Sequence, residues 1–464
     1  MPELKKTMFR EYDIRGRVSD DELNEKTAEL IGKGFGTFLR KRNINKTVVG
    51  YDAREYSERL KNAFVKGVIS TGVDVIDVGM TLSPILYFSQ YHLKVEGVAM
   101  VTASHNPNGW SGFKLGHGFS TTLLPDSIQE LYQIIKNGDF AIGKGKIKKY
   151  EGIENDYRKY VLKKIHIKRP LKVVVDCGNG TAGPIVPKIL REAGIDVVEQ
   201  YCEIDFSFPH HEPNPTLLES IEALGKKVRE VKADIGLGFD GDGDRLGVVD
   251  ENGKVVWADQ VVALLARLIL KEKPGAKIVF DVKCSRALAE DIKAHGGVPV
   301  MWKTGHSYIK EKCQEIDASL GGERSGHIFF REDYYSYDDA IFASLKLLEY
   351  LSGEKEKLSD ILKTLPQYVS SPTWQVDCPD EVKYKVVDEI TKQLKKRFGK
   401  RVIDINGARV EFDDGWGIVR ASSNLPVLAL GFEAKTEKRL KEIENIFREI
   451  LKKFPEVGKE WRSG

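Results

Sequence analysis

Three stretches of the chain share one pattern of apolar and polar positions. Each opens with a run rich in β-branched residues that ends near an aspartate, namely KTVVGYDAR (46–54), LKVVVDCGNG (171–180) and AKIVFDVKCS (276–285). Such runs are typical of strands buried in a parallel sheet. A helix-like segment that ends at glycine follows each run, and another apolar strand follows each helix. The pattern therefore predicts three βαβ units, which build doubly wound α/β domains.

Each unit also has a later apolar strand that runs into a polar loop. These segments are GVAMVTASHNPNGWSGFK (97–114), ADIGLGFDGDGDR (233–245) and DASLGGERSGH (317–327). In open α/β sheets, ligands bind at the carboxyl ends of the strands. We therefore expect the three loops to face one shared cleft. The alternative is three independent domains with unrelated polar turns.

The pattern changes after about residue 370. The stretch YVSSPTWQVDCPD (368–380) resembles a linker, and beyond it two helical patterns near 380–398 and 434–453 bracket several short strands. Strands bracketed by helices are typical of a smaller α+β domain. We predict three similar doubly wound α/β domains and a C-terminal α+β domain around a central cleft, with the boundaries 1–152, 153–255, 256–369 and 370–464.

Composition excludes several classes of protein. The 464 residues carry a net charge of only +3, so no overall positive field indicates nucleic acid as a partner. No apolar stretch approaches the ~18 residues of a membrane span, and the first residues, MPELKKTMFREYD, lack the apolar run of a signal peptide. The five cysteines are scattered and form no C-x-x-C, so neither a disulfide framework nor a zinc site is indicated. We expect a cytoplasmic protein without a membrane partner.

The segment LGFDGDGDRLGVV places Asp240, Asp242 and Asp244 at alternate positions, separated by glycine. Glycine lets the backbone wrap so that the carboxylates face one centre, where a hard divalent cation would cancel their repulsion. A calcium loop is one alternative, because Glu251 stands at its twelfth position. However, Arg245 occupies the sixth position, which requires glycine, and the flanks are typical of strands. A solvated acidic turn is the other alternative, and we favour a catalytic Mg²⁺ site with open coordination positions.

The segment TASHNPNGWSGFK places Ser104 directly after an apolar strand, beside His105 and ten positions before Lys114. A serine at this point is often only a turn former. Its cationic and metal-binding surroundings suit a covalent phosphoryl carrier, because phosphoryl transfer needs charge neutralisation. The G-x-S-x-G motif of α/β-hydrolases is missing from the sequence.

Further polar loops carry candidate ligands for a phosphorylated sugar. In GGERSGH, Glu323 and Ser325 suit sugar hydroxyls, unless the loop is a plain polar turn. His306 in KTGHSYIK is a candidate acid or base, or an exposed side chain. The loop RASSNLP resembles a phosphate clamp, or else an exposed loop, and its donors are Arg420, Ser422, Ser423 and Asn424.

One motif indicates a different chemistry. The segment VVVDCGNGTAG contains G-x-G-x-x-G at Gly178, Gly180 and Gly183, and Glu199 ends the next strand, as in a dinucleotide-binding fold. The other two units lack these glycines, so we do not favour a dehydrogenase.

Taken together, these motifs resemble those of the α-D-phosphohexomutases, and specifically the phosphomannomutase/phosphoglucomutase group, over nearly the whole chain. TASHNPNGWSGFK is similar to the family's phosphoserine loop, DGDGDR to its metal loop, GERSGH to its sugar-binding loop and RASSNLP to its phosphate-binding loop. FREYDIRG (9–16) and WKTGHSYIK (302–310) are similar to further family segments. The resemblance implies four domains around one cleft.

The resemblance also implies a mechanism. Ser104 would carry a phosphoryl group, and Mg²⁺ would bind to it and to the three aspartates. The phosphoryl group would pass to a hexose 1- or 6-phosphate, and the resulting hexose 1,6-bisphosphate would turn over in the cleft. Residues near the transferring phosphoryl group would be Lys114, Arg245 and His306, with His306 or Lys114 as the proton shuttle. The substrate contacts would be Tyr12, Arg15, Lys283, Thr304, Gly305, Glu323, Ser325, His327, Arg420, Ser422, Ser423 and Asn424.

Two departures from the family pattern bear on the substrate. Ser423 and Asn424 stand where the family usually has Asn and Thr, and Arg324 stands where relatives carry Met, Gln or Glu. The sequences SGFK and SGH favour mannose and glucose phosphates over glucosamine phosphate. The alternatives are a phosphoglucosamine mutase, a Mg²⁺-dependent sugar-phosphate phosphatase and a protein that only binds a metal or sugar phosphates. We expect a monomer or a homodimer.

Overall fold

The computed structural model describes residues 4–423 and 425–463. The first unit is built on the strand predicted from KTVVGYDAR. Its elements in chain order are β1 (Ile14–Arg17), α1 (Glu25–Arg40), β2 (Lys46–Tyr51), α2 (Ser57–Ile69), β3 (Asp74–Met80), α3 (Ser83–Leu93), β4 (Gly97–Val101), β5 (Trp110–Gly116), α4 (Pro125–Asn137) and β6 (Ile147–Lys149). The sheet order is β1-β5-β4-β2-β3-β6, and β2 pairs in parallel with β3 and β4.

The second unit repeats this arrangement around the strand from LKVVVDCGNG. It comprises α5 (Ile153–Leu162), β7 (Lys172–Asp176), α6 (Val186–Glu192), β8 (Asp196–Gln200), α7 (Leu218–Val231), β9 (Ile235–Phe239), β10 (Leu246–Asp250) and β11 (Val255–Val256). The order is β11-β10-β9-β7-β8, with β7 parallel to both β8 and β9. The antiparallel neighbour β10 returns from the acidic loop, as β5 does from the serine loop of the first unit.

The third unit has the same central pattern in a smaller sheet. It comprises α8 (Ala258–Glu272), β12 (Lys277–Asp281), α9 (Arg286–Ala294), β13 (Val298–Trp302), α10 (His306–Glu315), β14 (Leu320–Gly322), β15 (Ile328–Phe330), α11 (Ala340–Gly353) and α12 (Leu358–Leu362). Its order is β13-β12-β14-β15, and β12 pairs in parallel with β13 and β14.

The fourth unit is an antiparallel sheet with two long helices. It comprises β16 (Val369–Ser370), β17 (Trp374–Asp377), α13 (Lys383–Phe398), β18 (Val402–Ile403), β19 (Ala408–Phe412), β20 (Gly415–Ala421), β21 (Val427–Ala434), α14 (Glu437–Leu451) and β22 (Arg462–Ser463). The main order is β18-β19-β20-β21-β17-β22, and β16 also pairs with β21. The stretch expected to be a linker therefore contributes two strands to this sheet, a difference from the sequence-based expectation. The fold class expected from the sequence, three α/β units and a C-terminal α+β unit, is confirmed.

Apolar packing joins the first three units more closely than the fourth. One continuous cluster of buried side chains runs from Val48 through Val173 to Ile278, that is, through all three α/β units. The fourth unit has its own core, and a small separate cluster around Val282, Trp416 and Ile418 joins it to the third. Among the helices of the described residues, none combines the length and apolar character needed to cross a membrane.

Candidate active site

The serine loop of the first unit and the acidic loop of the second meet at the centre of the molecule. Ser104 lies between β4 and β5, and its Oγ donates a hydrogen bond to Asp240 Oδ2 at 2.9 Å, although 136 residues separate them. Gly241 makes this approach possible, because a Cβ added there would lie 2.4 Å from the carbonyl oxygen of Ser104. The structure thus brings together the two loops that the sequence singled out separately.

Ser104 has an unusual backbone conformation. Its φ of 52° lies in the left-handed region, which is uncommon for a residue with a side chain and clusters at functional sites. Thr102 Oγ1 accepts the Ser104 N–H at 2.8 Å, and Thr102 in turn donates to Asp52 Oδ2 at 2.8 Å. Asp52 Oδ2 also accepts the N–H of Ala103 at 3.3 Å. The end of β2 therefore braces the loop and holds the serine hydroxyl toward the aspartates.

The three aspartates are buried and their oxygens converge. Asp240 Oδ1 accepts the backbone N–H groups of Asp244 and Arg245 at 3.0 and 3.2 Å, which closes the turn. One carboxylate oxygen from each aspartate lies within 4.8 Å of the others. Within residues 4–423 and 425–463, Oδ1 of Asp242 and of Asp244 has no hydrogen-bond partner. Asp244 Oδ1 does lie 3.4 Å from His327 Nε2, an ion-pair contact. Converging carboxylate oxygens beside a serine hydroxyl are a hard donor set, and they fit a divalent cation such as Mg²⁺.

Lys114 on β5 reaches into the acidic loop from the first unit. Its Nζ lies 2.7 Å from Asp242 Oδ2 and also contacts Asp244 Oδ2. Burial by itself would lower the pKa of Lys114, but the Asp242 and Asp244 carboxylates raise that pKa well above its ordinary value. Burial, with the Asp244 and Asp242 charges, raises the pKa of Asp240 well above its usual range. Lys114 is therefore a fixed positive charge at the site.

His327 in the sugar loop lies between two carboxylates. Its Nε2 is 3.4 Å from Asp244 Oδ1, and its Nδ1 is 3.3 Å from Glu323 Oε2. Burial opposes the imidazolium, but Asp244 and Glu323 outweigh it and raise the pKa of His327 to about 9. Glu323 Oε1 also accepts the N–H of Gly305 at 2.6 Å, which joins the sugar loop to the start of α10.

His306 is the first residue of α10, and its pKa is shifted in the direction opposite to that of His327. Burial, together with the Lys310 and His327 charges, lowers the pKa of His306 well below its ordinary value. Its Nδ1 lies 3.6 Å from Asp338 Oδ2, and neither ring nitrogen has a hydrogen-bond partner in the part of the chain that is described. Lys310 Nζ donates to Asp338 Oδ1 at 3.1 Å. The motifs in the sequence did not indicate Asp338, which is marked only as part of the acidic pair Asp338–Asp339 directly before α11.

A cleft with a cavity volume of about 200 Å³ opens above the serine and the acidic loop. Asp240, Asp242 and Asp244 lie beneath it with no exposed surface. Asn424, the last member of the expected phosphate clamp, lies outside the described residues. The other site residues expected from the sequence line the cleft together with His105, and they are Tyr12, Arg15, Ser104, Lys114, Arg245, Lys283, Thr304, Gly305, His306, Glu323, Ser325, His327, Arg420, Ser422 and Ser423.

The lining of the cleft is strongly cationic. Arg15 is held by Asp13 at 2.8 Å and by Asn106 at 2.6 Å, and Lys283 lies 3.3 Å from Asp281. Across the cleft Arg420 is 9% exposed. Its Nε has no hydrogen-bond partner within the described ranges. Such a lining favours an anionic ligand that bears more than one phosphate or carboxylate group.

Comparison with known proteins gives a consistent result along the chain. Family models match the three α/β units and the C-terminal unit: "Phosphoglucomutase/phosphomannomutase, alpha/beta/alpha domain I" at residues 6–142, domain II at 155–253, domain III at 257–368 and "C-terminal domain" at 375–450.

Individual relatives match over nearly their whole length. A phosphomannomutase/phosphoglucomutase of Pseudomonas syringae pv. tomato is 42% identical over 452 residues, which cover 97% of this chain and 96% of the relative. A phosphoglucomutase of Neisseria meningitidis serogroup A is 37% identical, with 98% and 99% covered. The crystal structure of a phosphoglucomutase/phosphomannomutase family protein from Burkholderia thailandensis superimposes with a TM-score of 0.91 at 37% identity, covering 97% of this chain and 98% of that one.

Proposed function

The chain belongs to the phosphoglucomutase/phosphomannomutase family, and we propose that it interconverts hexose 1-phosphates and hexose 6-phosphates through a phosphoryl group carried on Ser104. The observation that carries this proposal is the contact between Ser104 Oγ and Asp240 Oδ2 at the floor of a cationic cleft. A nucleophilic hydroxyl beside a cation-binding carboxylate cluster is what reversible phosphoryl transfer requires.

The acidic loop would hold Mg²⁺ through Asp240, Asp242 and Asp244, together with an oxygen on Ser104. When bound, the ion supplies positive charge that offsets the charge on the transferring phosphoryl group. Lys114 and Arg245 add fixed positive charge beside the same atoms, because Lys114 contacts two of the carboxylates and Arg245 Nε lies 4.0 Å from Asp240 Oδ2. These two cations stabilise the transition state, in which negative charge spreads over the phosphoryl oxygens.

We propose His306, and not Lys114, as the group that accepts the proton of the attacking sugar hydroxyl. Both residues line the cleft, but the Lys114 ammonium is held by Asp242 and Asp244. His306 lines the cleft, and within the described residues neither ring nitrogen makes a hydrogen bond, although Nδ1 lies 3.6 Å from Asp338 Oδ2. A neutral imidazole has a lone pair that can accept a proton, and Asp338 would stabilise the imidazolium that forms, whereas a protonated lysine has no lone pair to offer.

The remaining contacts position the sugar and its second phosphate. Glu323 and Ser325 would hold sugar hydroxyls, while Arg420, Ser422 and Ser423 would hold the phosphate that is not reacting. In the forward half-reaction the phosphoryl group leaves Ser104 Oγ for the free sugar hydroxyl and gives a hexose 1,6-bisphosphate. After the bisphosphate turns over in the cleft, its other phosphoryl group returns to Ser104 Oγ. The enzyme is thereby restored and the phosphate position is exchanged.

The direct test is the Ser104→Ala variant. We expect mutase turnover of mannose 1-phosphate and glucose 1-phosphate to fall to background, while hexose phosphate binding persists, because the cationic lining is intact. Intact mass should show one added phosphoryl group on the wild type and none on the variant. Turnover that survives in the variant would contradict the proposal, and release of inorganic phosphate in place of the 6-phosphate would favour a phosphatase.

The proposed substrates are mannose and glucose phosphates. Side-by-side assays with glucosamine 1-phosphate test this choice, and a kcat/KM for glucosamine 1-phosphate above those for the two neutral sugars would contradict it. The names of the matching relatives, phosphomannomutase/phosphoglucomutase and phosphoglucomutase, support the choice.

A further inference from the structure

Arg54 lies behind the serine loop and is not among the residues that line the cleft. Its side chain is only 3% exposed. The guanidinium donates to three carbonyl oxygens of the loop: to Ser104 at 3.1 Å, to Asn106 at 2.5 Å and to Pro107 at 2.9 Å. A single side chain therefore binds the backbone carbonyl groups of the serine and of two residues shortly after it.

These contacts stabilise the strained backbone conformation of Ser104. A residue with a side chain at a φ of 52° persists only when its surroundings determine the conformation. Asp52 fixes the residues before the serine through Thr102 and Ala103, and it also lies 3.4 Å from Arg54 Nε. Arg54 fixes the carbonyl groups of the serine and of the residues after it. The planar fork of the guanidinium can reach several acceptors at once, which a lysine ammonium on a flexible stem reproduces poorly.

The same segment is attached to the second unit. The N–H of Ala53 donates to Thr181 Oγ1 at 2.9 Å, and the ring of Phe208 lies 5.1 Å from the Arg54 guanidinium carbon. Thr181 N–H in turn contacts the carbonyl oxygen of Gly241 in the acidic loop at 3.3 Å. Thr181 therefore connects the segment that holds the serine loop to the loop that carries the three aspartates.

We propose that Arg54 is a positioning residue for phosphoryl transfer: it holds the serine loop so that the Ser104 hydroxyl stays next to the acidic loop, and it does not touch the substrate. The inference rests on the proposed function, since it assigns Arg54 a part in the step that Ser104 performs. A misplacement of about 1 Å at a reacting atom can cost roughly 100-fold in rate. Removal of Arg54 should therefore lower kcat by about that factor and leave KM for the hexose phosphate unchanged.

The experiment compares Arg54→Ala and Arg54→Lys with the wild type in the mutase assay. Arg267→Ala is the matched control, because Arg267 is also a buried arginine, paired with Asp291 in the third unit, away from the serine loop. We expect both Arg54 variants to lose kcat at constant KM and the control to keep the wild-type kcat. Millimolar guanidinium should restore part of the kcat of Arg54→Ala and have no such effect on the control.

The outcomes distinguish a failure of the proposed function from a failure of the role proposed for Arg54. If the wild type has no mutase activity, the proposed function fails before Arg54 is considered. If the wild type is active and folded Arg54→Lys keeps its kcat, the positioning role is overturned, even where Arg54→Ala does not fold. A loss of kcat in Arg54→Ala that guanidinium does not relieve, with a thermal midpoint lowered as in Arg267→Ala, would also overturn the proposal in favour of a general contribution to stability.

Discussion

Arg324 stands in the sugar loop at a position where the sequence raised the question of substrate choice, but its side chain turns away from the cleft. Its Nη1 donates to Asp259 Oδ2 at 2.5 Å, and its guanidinium lies 4.4 Å from the ring centre of Trp257. Its backbone N–H donates to Asp281 Oδ1 at 3.2 Å. The residue thus connects the sugar loop to the start of α8, and in the proposed function its neighbours Glu323 and Ser325 contact the sugar hydroxyls.

We predict that Arg324→Met leaves the ratio of kcat/KM for mannose 1-phosphate and glucose 1-phosphate unchanged. The substitution should lower the free energy of unfolding by about 1–3 kcal/mol, because Asp259 loses a charged partner. Calorimetry and parallel kinetics on the two sugars measure both effects. Glu323→Gln is the matched comparison within the same loop, and it should reduce turnover of both sugars. A ratio altered by Arg324→Met would contradict the structural assignment.

The sequence indicated the residues proposed to react better than the residues that support them. Ser104 and the three aspartates carry recognisable motifs, because in the proposed function their side chains take part directly in phosphoryl transfer, and they lie together beneath the cleft. No sequence motif indicated Arg54, because it acts through backbone carbonyl groups that belong to a loop fifty residues later. Asp338 was only weakly indicated by the sequence, because its closeness to His306 is a contact between segments about thirty residues apart.

At the scale of elements, the contact between the serine loop and the acidic loop depends on a glycine. We predict that Gly241→Ala lowers kcat by about 100-fold, because a Cβ 2.4 Å from the Ser104 carbonyl oxygen must push the two loops apart. Gly431→Ala is the control, since its nearest neighbours would lie at 3.6 Å, an ordinary contact. Steady-state kinetics at saturating Mg²⁺ distinguishes the two variants, and equal kcat values would contradict the prediction.

A second prediction at this scale concerns the start of α11. Asp339 caps this helix by accepting the N–H of Phe342, and it also accepts the hydroxyls of Tyr157 from α5 and Tyr334. Burial raises the pKa of Asp339 from 3.8 to about 6, and hydrogen bonds only partly oppose this shift. Below about pH 4 both states are protonated, so the group has no cost; above pH 4 the unfolded state ionises first. The carboxyl should therefore lower the stability progressively from pH 4 to 6, by about 3 kcal/mol in all.

The Asp339→Asn variant tests this dependence, because asparagine can still cap the helix but does not titrate. As the pH rises from 4 to 7, the thermal midpoint of the wild type should fall relative to that of the variant. A difference that stays constant over this range would show that Asp339 has the same pKa in the folded and unfolded states.

The elements themselves were predictable to different degrees. The central strands β2, β7 and β12 were expected from their apolar runs, because a strand buried on both faces leaves a continuous pattern. The residues of β16 and β17 were expected to form a linker. The two strands are only two and four residues long and are partly exposed, so they leave no continuous apolar run in the sequence. Their identity comes from pairing with β21, which is a long-range contact that local sequence does not encode.

At the scale of the whole molecule, the difference in packing between units has a mechanical consequence. The first three units share one core, whereas the fourth meets the third through a small apolar cluster and polar contacts. Among these contacts, Arg409 Nη1 donates to the carbonyl groups of Val282 and Cys284 at 2.7 and 2.8 Å. Relative motion is the default for units joined by a small polar interface. The fourth unit also carries the loop proposed to bind phosphate, and Arg420, Ser422 and Ser423 of that loop line the cleft, so the position of this unit affects how tightly the cleft closes.

We therefore predict that binding of a hexose 1,6-bisphosphate moves the fourth unit toward the other three, which remain a rigid body. Small-angle X-ray scattering should show a smaller radius of gyration with ligand than without it. Arg420→Ala should weaken this response, because the loop of the fourth unit loses its cationic contact with the phosphate, whereas Arg267→Ala in the third unit should keep it. Scattering curves that are identical with and without saturating ligand would mean that the four units form one fixed cleft, and phosphate recognition by the fourth unit would then act through contact geometry alone.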